Sequence, residues 1–316
     1  MKIVYLGNPR FSAILLEKLC QSKYKPSLVI TNPDKPVGRK KVLTPPPVKE
    51  IARKFQIPSF QSDDIKEILS KLKNLNNIDL IITVAYGKIL PKEILDIPKR
   101  KCINLHPSLL PRWRGPSPIQ YTILNGDKKT GVTIIKITES VDAGPILAQR
   151  ELQDFTGRED YLTLEKKLAK LGGKLLIETI PKWMEGKIEP LLQDEKEATF
   201  SKILKKEDGK IDWQKTAEEI ERKVRAFNPW PGTFTFWEVL KDTPQRVIVL
   251  KTRVYKFPTK VKYPLGKVLV VPQNEIGVQC KKDFLVIQKL KLEGEKELAA
   301  EEFLRGHPDF IGTILK

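Results

Sequence analysis

Residues that build metal sites and disulfide frameworks are scarce in this sequence. It has two histidines, His106 and His307, and three widely separated cysteines, Cys20, Cys102 and Cys280. A zinc site built on histidine is therefore not expected, and an odd number of distant cysteines argues against a disulfide framework. We predict a protein that needs no metal and works in a reducing compartment.

Long apolar runs are also missing. No run approaches the roughly 18 residues of a membrane span. The opening residues, MKIVYLG, have the pattern of a strand and lack the cationic and apolar parts of a secretory signal. We therefore expect a cytoplasmic protein with no membrane contact. With 316 residues, 40% hydrophobic and 30% charged, the chain is long enough for two domains with packed cores.

Acidic residues are fewer than basic ones. The sequence has 57 Lys and Arg but 39 Asp and Glu, which gives a net charge of +18. Such a surplus attracts polyanions, nucleic acid above all, although a basic surface without any partner would have the same total charge. The distribution favours a binding surface, because the cationic residues crowd together in residues 35–54 and again in 241–291.

Short apolar runs alternate with helical patterns in the first half of the chain. The near-continuous runs are typical of buried parallel strands, and they lie at 3–7, 27–31, 78–87, 102–106 and 131–137. Strands that alternate with helices predict βαβ units. We therefore expect an α/β fold with a Rossmann-like, open and mostly parallel sheet in residues 1–190, ending in a long helix from about 159 to 184.

The second half has a different pattern. Periodicity is lost after the long helix, and we place a linker at 191–208. A short amphipathic helix at 216–227 and strand-like runs at short spacing between 233 and 292 follow it. These features predict an OB-like β-barrel domain over residues 209–316.

Polar residues stand at the end of the apolar run CINLH. Asn104 and His106 share one face of that strand by alternation, and open α/β sheets bind ligands beyond the carboxyl ends of their strands. On these residues alone, a buried Asn–His pair with a purely structural role stays open. The proline-rich loop 107–118 favours a site, because its rigidity is more than a connector needs. If the ends of strands 102–106 and 131–137 meet, Asp142 can orient His106.

Several motifs together resemble the folate-dependent formyltransferase superfamily. They are INLHPSLLPRWRG, VDAGPIL and VAYGKILP, with LGNPRFS, TNPDKPVGRKKVLTPPPVK and RAFNPWPGT extending the resemblance over nearly the whole chain. Pro107 departs from the pattern, since many relatives have glycine there, and we expect little effect. The resemblance implies direct transfer of a formyl group from 10-formyltetrahydrofolate to an amine, without a metal. No serine or cysteine is placed as an obvious acyl carrier.

The resemblance also implies roles for single residues. Asn104 and His106 would face the formyl group, with Asp142 supporting His106. The folate would be bound by two segments, namely Ser108, Leu109, Leu110 and Pro111 in the first and Val84, Ala85, Tyr86, Gly87 and Leu90 in the second.

A basic loop at residues 32–47 leaves the same edge of the predicted sheet as His106. Such charge runs are usually solvated loops, but a basic loop over an active site would hold the phosphates of a polymeric substrate. The resemblance implies that it grips the acceptor stem of initiator methionyl-tRNA through Lys35, Arg39, Lys40 and Lys41, with Arg39 most important. We expect a monomer.

The second domain is expected to add electrostatic, salt-dependent contacts to RNA. Its motif RAFNPWPGTF contains Phe227 and Trp230, which form either a platform for stacking bases or part of the core. The sequence leaves both possibilities open.

Four other functions explain part of the sequence. Formylation of an amino sugar nucleotide would use the same three catalytic residues and a WPG turn, but relatives of that kind lack a loop like NPDKPVGRKK. Glycinamide ribonucleotide formyltransferases lack a second domain. A non-catalytic RNA-binding protein would not need Asn104, His106 and Asp142 intact. A nicotinamide dehydrogenase is disfavoured because Gly7 stands alone after the first strand, without a G-x-G-x-x-G motif.

Overall fold

The computed structural model describes residues 1–38, 41–238, 244–256 and 263–316. Its contacts divide the chain into two units, each with its own sheet and buried core. The first comprises residues 1–119, 128–156 and 163–203, and the second comprises residues 120–127, 157–162 and 204–316. Residues 191–203 of the predicted linker therefore pack with the first unit, and the exact domain limits stay predictions.

The elements of the first half alternate between strands and helices. In the described residues the strands are β1 (Ile3–Gly7), β2 (Leu28–Thr31), β3 (Lys35–Val37), β4 (Val42–Thr44), β5 (Ser59–Gln61), β6 (Leu80–Val84), β7 (Cys102–His106), β8 (Gly131–Lys136) and β9 (Ile146–Glu151). The α-helices are α1 (Arg10–Cys20), α2 (Pro47–Lys54), α3 (Ile65–Lys73), α4 (Lys92–Leu95), α5 (Pro118–Leu124) and α6 (Tyr161–Met184).

Strands dominate the second half. They are β10 (Thr233–Trp237), β11 (Gln245–Tyr255), β12 (Val268–Val271), β13 (Glu275–Gln279), β14 (Phe284–Leu292) and β15 (Leu298–Ala299), with helices α7 (Ala217–Phe227) and α8 (Ala300–Gly306). Short 3-10 helices lie at Glu195–Glu197, Lys206–Gly209 and Pro308–Phe310. Across the described parts of the chain, no helix combines the length and apolar character needed to cross a membrane.

The sheet of the first unit has the strand order β5-β2-β1-β6-β7-β8-β9 in the described residues. The first five strands in this order, from β5 through β2, β1 and β6 to β7, are parallel, which confirms the predicted α/β class. Strands β8 and β9 are antiparallel to their neighbours. Strands β7 and β8 are adjacent, but the expectation that their carboxyl ends meet is wrong. The connection between them starts and ends at the same edge of the sheet, so His106 pairs with Thr133 near the beginning of β8.

Helix α6 packs behind the strand that carries Asn104 and His106. Leu105 lies between these two residues and points to the opposite face. A Cβ atom on Gly172 of α6 would lie 2.9 Å and 3.0 Å from the two Cδ atoms of Leu105. This close approach explains a glycine inside a helix, where it costs about 1 kcal/mol relative to alanine.

The second unit is an antiparallel sheet in the order β10-β11-β14-β13-β12, with β15 paired to β14, across the residues that the structure describes. Residues 312–316 hydrogen-bond to both edge strands. Phe236 of β10 exchanges backbone hydrogen bonds of 2.9 and 3.0 Å with Lys316, and Val268 of β12 bonds to Gly312 and Thr313, both at 2.9 Å. These bonds close the sheet into a barrel, in agreement with the predicted OB-like class.

Replacing Gly172 by valine tests the close contact between α6 and β7. The new side chain would collide with Leu105, and we expect Gly172→Val to lower the free energy of unfolding by about 1–3 kcal/mol. Lys170→Val is the matched control, since it introduces the same β-branched residue at an exposed position of the same helix and costs at most about 0.7 kcal/mol. Urea unfolding of both variants measures the difference, and equal losses would contradict the proposed packing.

Candidate active site

Asp142 lies between Asn104 and His106. The Asn104 Nδ2 donates to Asp142 Oδ1 at 3.4 Å, and His106 Nδ1 lies 3.6 Å from Asp142 Oδ2. The backbone N–H of Gly115 also donates to Oδ2, at 2.9 Å. The structure therefore brings together the three residues that the sequence singled out, while their catalytic roles stay predictions.

Asp142 reaches this position by a route that the sequence did not predict. Because β8 ends at the opposite edge of the sheet from His106, residues 137–145 must fold back over the sheet face. Asp142 has a φ of +51°, a left-handed conformation that aspartate adopts more readily than most residues. A Cβ on the nearby Gly144 would lie 1.8 Å from the carbonyl oxygen of Lys136, so only glycine allows this close return.

The contacts of His106 distinguish its two ring nitrogens. His106 is 4% exposed, and its Nε2 lies 2.8 Å from the carbonyl oxygen of Trp113. A carbonyl oxygen only accepts, so Nε2 carries a hydrogen and donates it. Nδ1 is therefore the nitrogen that can gain or lose a proton, and it faces the carboxylate of Asp142.

Thr83 is a site residue that sequence reasoning missed. It pairs with Asn104 across β6 and β7, and its Oγ1 donates to Asn104 Oδ1 at 3.0 Å. The Asp142 carboxylate only accepts, so the NH2 group of the amide faces Asp142 and the amide oxygen faces Thr83. The one available signal was a polar residue within the apolar run IDLIITVAYG.

A second missed element is the segment 191–201, which we call the strap. Its Thr199 accepts from the Trp113 N–H through Oγ1 at 2.9 Å and from the Arg114 N–H through its carbonyl, also at 2.9 Å. The Ser201 N–H donates to the Arg114 carbonyl at 2.7 Å. The strap thus runs alongside the loop that positions His106, although sequence reasoning assigned it to a linker.

Ser108 and Leu110 of the SLLP segment are held against β8 by Thr133, whose Oγ1 donates to the Ser108 carbonyl at 2.7 Å. The Ser108 hydroxyl is buried and donates to the Arg112 carbonyl at 2.6 Å. The Leu110 N–H donates to Thr133 Oγ1 at 3.1 Å, and Leu110 is buried, whereas Leu109 and Pro111 are partly exposed. Leu109 and Pro111 are therefore the members of this segment with side-chain surface for a ligand.

The second predicted folate segment is a turn at the carboxyl end of β6. Three of its residues are buried, namely Val84, Tyr86 and Leu90, and burial raises the pKa of the Tyr86 hydroxyl to about 12. Ala85 and Gly87 are exposed and have φ values of +47° and +80°. Gly87 has no side chain, so the turn presents its backbone to solvent, next to the strand that carries Asn104.

The cysteines are placed as structural residues. All three are buried, and burial raises the pKa of Cys20 to about 11 and the pKa values of Cys102 and Cys280 to about 12. They are therefore neutral thiols near pH 7 and poor nucleophiles. Among the residues that the structure describes, no group of His, Cys, Asp and Glu is arranged to hold a metal ion.

The basic loop contains a β-hairpin, with β3 and β4 paired from Lys35↔Thr44 to Val37↔Val42. Lys35 and Lys41 are exposed on it, while Arg39 and Lys40 lie outside the described residues. Three more cations of this region are paired with carboxylates, as Lys49–Asp34, Arg53–Glu50 and Lys54–Glu17. The ion pairs leave the hairpin as the more basic part of the region.

The base of the hairpin is anchored by Asp34. Its carboxylate accepts from Lys49 Nζ at 2.8 and 2.9 Å and from Gln61 Nε2 at 2.7 Å. These hydrogen bonds, first the one from Lys49 and then the one from Gln61, hold the pKa of Asp34 below its usual value. A carboxylate of this kind stabilises the fold above its unfolded-state pKa, and the contribution is lost as the pH falls through the lower folded-state pKa.

Hydrogen exchange tests the anchor. We expect the amides of Lys35, Val37 and residues 41–44 to exchange faster, after correction for the intrinsic rate, as the pH falls below about 3.9, the usual pKa of Asp. Asp34→Asn should exchange fast already at neutral pH. Glu50→Gln, which removes an exposed carboxylate nearby, should not. Wild-type protection in Asp34→Asn would contradict the anchoring role.

Comparison with known proteins identifies the family. Residues 1–180 match the family described as formyl transferase, and residues 203–308 match the formyl transferase C-terminal domain. A methionyl-tRNA formyltransferase of Caldicellulosiruptor saccharolyticus is 41% identical over 321 residues and covers 100% of both chains. One from Bacillus cereus is 42% identical over 318 residues, covering 100% of this chain and 98% of the relative.

A solved structure extends the comparison to the fold. The N-formyltransferase of Helicobacter canadensis, in complex with folinic acid and dTDP-3-aminofucose, has a TM-score of 0.65 and 19% identity, covering 91% of this chain and 98% of that one. At this identity the likeness concerns the fold alone. The chain belongs to the formyl transferase family, with the N-terminal and C-terminal domains of that family, and is similar over its whole length to methionyl-tRNA formyltransferases.

Proposed function

We propose that the protein transfers the formyl group of 10-formyltetrahydrofolate to the α-amino group of initiator methionyl-tRNA. The observation that carries the proposal is the contact of Asp142 with both Asn104 and His106. It occurs in a chain that is 41% identical, from end to end, to a methionyl-tRNA formyltransferase.

The residues near the site fit a folate. A pteridine ring has hydrogen-bonding groups along its edge, and the exposed backbone of Gly87 would offer complementary groups near Asn104. Leu109 and Pro111, both partly exposed, would add apolar surface for the ligand. The bound donor supplies a formyl carbonyl that an amine can attack.

Asn104 is suited to stabilise the charge that develops in this attack. The formyl oxygen becomes negative as the amine approaches the carbonyl carbon, and a fixed donor aimed at it is worth about 2.7–4 kcal/mol. The Asn104 amide has two hydrogens, of which one is directed at Asp142. The other is available for the formyl oxygen, because the acceptor-only carboxylate of Asp142 keeps the amide from turning over.

His106 is suited to move the proton. Transfer forms a C–N bond to the methionyl amine and breaks the C–N bond to the folate, so the amine loses one proton and the folate nitrogen gains one. Since Nε2 donates to Trp113, the proton passes through Nδ1 of His106. Asp142 faces that nitrogen and balances the positive charge while the ring holds the proton.

The basic hairpin supports tRNA as the acceptor of the formyl group. Lys35 and Lys41 are exposed on it, and it follows β2, a strand parallel to β7, so it leaves the same edge of the sheet as His106. Cations at this edge suit a phosphate polymer better than a single sugar nucleotide. The contacts among Asn104, His106 and Asp142 count against a protein that only binds RNA.

The second unit is proposed to contribute to tRNA binding. Trp230 is 50% exposed, whereas Phe227 is 3% exposed and belongs to the core. Trp230 is therefore the one of the two with a ring surface for stacking. Lys251, Lys281 and Lys282 are exposed on the same unit and would make contacts that weaken with salt. The cytoplasmic location and the monomeric state stay predictions.

Transfer of a labelled formyl group tests the proposed function. Wild-type protein is mixed with labelled 10-formyltetrahydrofolate and either initiator methionyl-tRNA or a dTDP-linked amino sugar, and we expect label on the tRNA. Asn104→Asp should lower kcat by about 10²–10³-fold, since it removes one oxyanion donor. Label on the sugar alone would refute the assignment of the acceptor.

Arg39 tests the role of the hairpin. We expect Arg39→Ala to raise the KM for methionyl-tRNA by about 10–100-fold, the equivalent of one charged hydrogen bond, with little change in the KM for the folate. Arg53→Ala is the control, because it removes the same charge from a residue already paired with Glu50. Steady-state kinetics with each substrate varied in turn would contradict this role if both KM values rose equally.

A further inference from the structure

Two residues of the site have unusual backbone conformations. Trp113, whose carbonyl accepts from His106 Nε2, has a φ of +59°, and Asp142 has a φ of +51°. The left-handed region is unfavourable for residues other than glycine and persists where neighbouring contacts hold it. The strap supplies such contacts to both residues.

Gln193 of the strap holds the turn that contains Asp142. Its Nε2 donates to the Asp142 carbonyl at 2.8 Å and to the Gly144 carbonyl at 2.7 Å, so both amide hydrogens are used on this turn. Its Oε1 accepts from Arg114 Nε at 3.0 Å. One side chain therefore links the Asp142 turn to the loop after His106.

Arg114 is itself fixed in place. It is buried, and its guanidinium donates to both carboxylate oxygens of Glu195, at 2.7 and 2.8 Å. The next residue, Gly115, donates its N–H to Asp142 Oδ2, and a Cβ on it would lie 2.6 Å from the carbonyl of Ser201. Gln193 thus acts on Asp142 twice, directly at its carbonyl and through Arg114 and Gly115 at its carboxylate.

From this geometry we infer that Gln193 is a positioning residue for formyl transfer, an inference that rests on the proposed function of the site. It holds Asp142 so that one carboxylate oxygen meets Asn104 Nδ2 and the other meets His106 Nδ1. Gln193 bonds to the turn that contains Asp142 and acts on Asn104 and His106 through the Asp142 carboxylate.

Two substitutions separate the contacts of Gln193. Gln193→Met keeps the length of the side chain and loses all of its hydrogen bonds. Gln193→Glu keeps an acceptor for Arg114 but replaces the NH2 group with an oxygen, which repels the carbonyl oxygens of Asp142 and Gly144. We expect both to lower kcat by about 10–100-fold, the effect of a small misplacement of a catalytic group. The KM values for both substrates should stay within about twofold, since binding groups are untouched.

The matched control is Gln21→Met, the same substitution at an exposed glutamine of the first unit, which should keep the wild-type kcat. Wild-type kcat in Gln193→Glu would overturn the inference, because the bonds to the Asp142 turn would then be dispensable. Urea unfolding is measured on every variant. If Gln193→Met does not fold, Gln193→Asn, which shortens the side chain by one methylene, replaces it.

A double-mutant cycle with Asp142→Asn separates positioning from general stabilisation. If Gln193 acts through Asp142, adding Gln193→Met to Asp142→Asn should lower kcat by less than about twofold further. A loss as large as in the wild-type background would show an effect independent of Asp142 and overturn the inference.

The ring of His106 gives a readout that needs neither substrate. The chain has two histidines, so the NMR signals of His106 are assigned by comparison with His106→Gln. We expect the His106 signals of the free protein to shift in Gln193→Met and to stay unchanged in Gln21→Met. Unchanged signals in Gln193→Met would overturn the inference, whereas failure of the wild type to formylate methionyl-tRNA would refute the proposed acceptor only.

Discussion

The contact between the Asp142 carboxylate and the Asn104 and His106 side chains depends on three separate parts of the first unit. Strand β7 fixes Asn104 and His106, the return loop after β8 carries Asp142, and the Gly115 N–H holds one carboxylate oxygen at 2.9 Å. The His106 and Asp142 side chains are only 5% and 16% exposed, so water screens their interaction less than it would at the surface. A displacement of any one part would separate the Asp142 carboxylate from the His106 ring.

The strap extends this dependence to a segment without regular periodicity. Thr199 accepts from the Trp113 N–H through its hydroxyl and from the Arg114 N–H through its backbone carbonyl. Other side chains of the strap bind the Asp142 turn and the guanidinium of Arg114. A connecting segment would make no such contacts, because exposed loops satisfy their polar groups with water. The polar residues that made the strap resemble a linker are the ones that hold the loop beside His106.

Charge shows the limit of composition as a guide. The early cluster of cations predicted a basic surface, yet Lys49, Arg53 and Lys54 are paired with carboxylates. The Lys49–Asp34 pair anchors the hairpin instead of offering charge to a partner. In the second unit, Arg246 and Lys289 likewise pair with Glu293 and Glu297. Net charge is additive along a chain, but the charge available to a ligand depends on which side chains meet.

The sequence by itself determined the class of both sheets and the strand that carries Asn104 and His106, because apolar periodicity and side-chain alternation are local properties of a strand. Motif resemblance identified Asp142 and the formyltransferase family. Tertiary structure alone decided that β8 runs antiparallel to β7, that Thr83 bonds to Asn104, and that residues 312–316 close the barrel. The tertiary structure also brought the strap into contact with the Asp142 turn and the loop after His106. These features join residues that are distant in the chain, such as Trp113 and Thr199, which are 86 positions apart. Local sequence patterns do not specify which distant residues will meet.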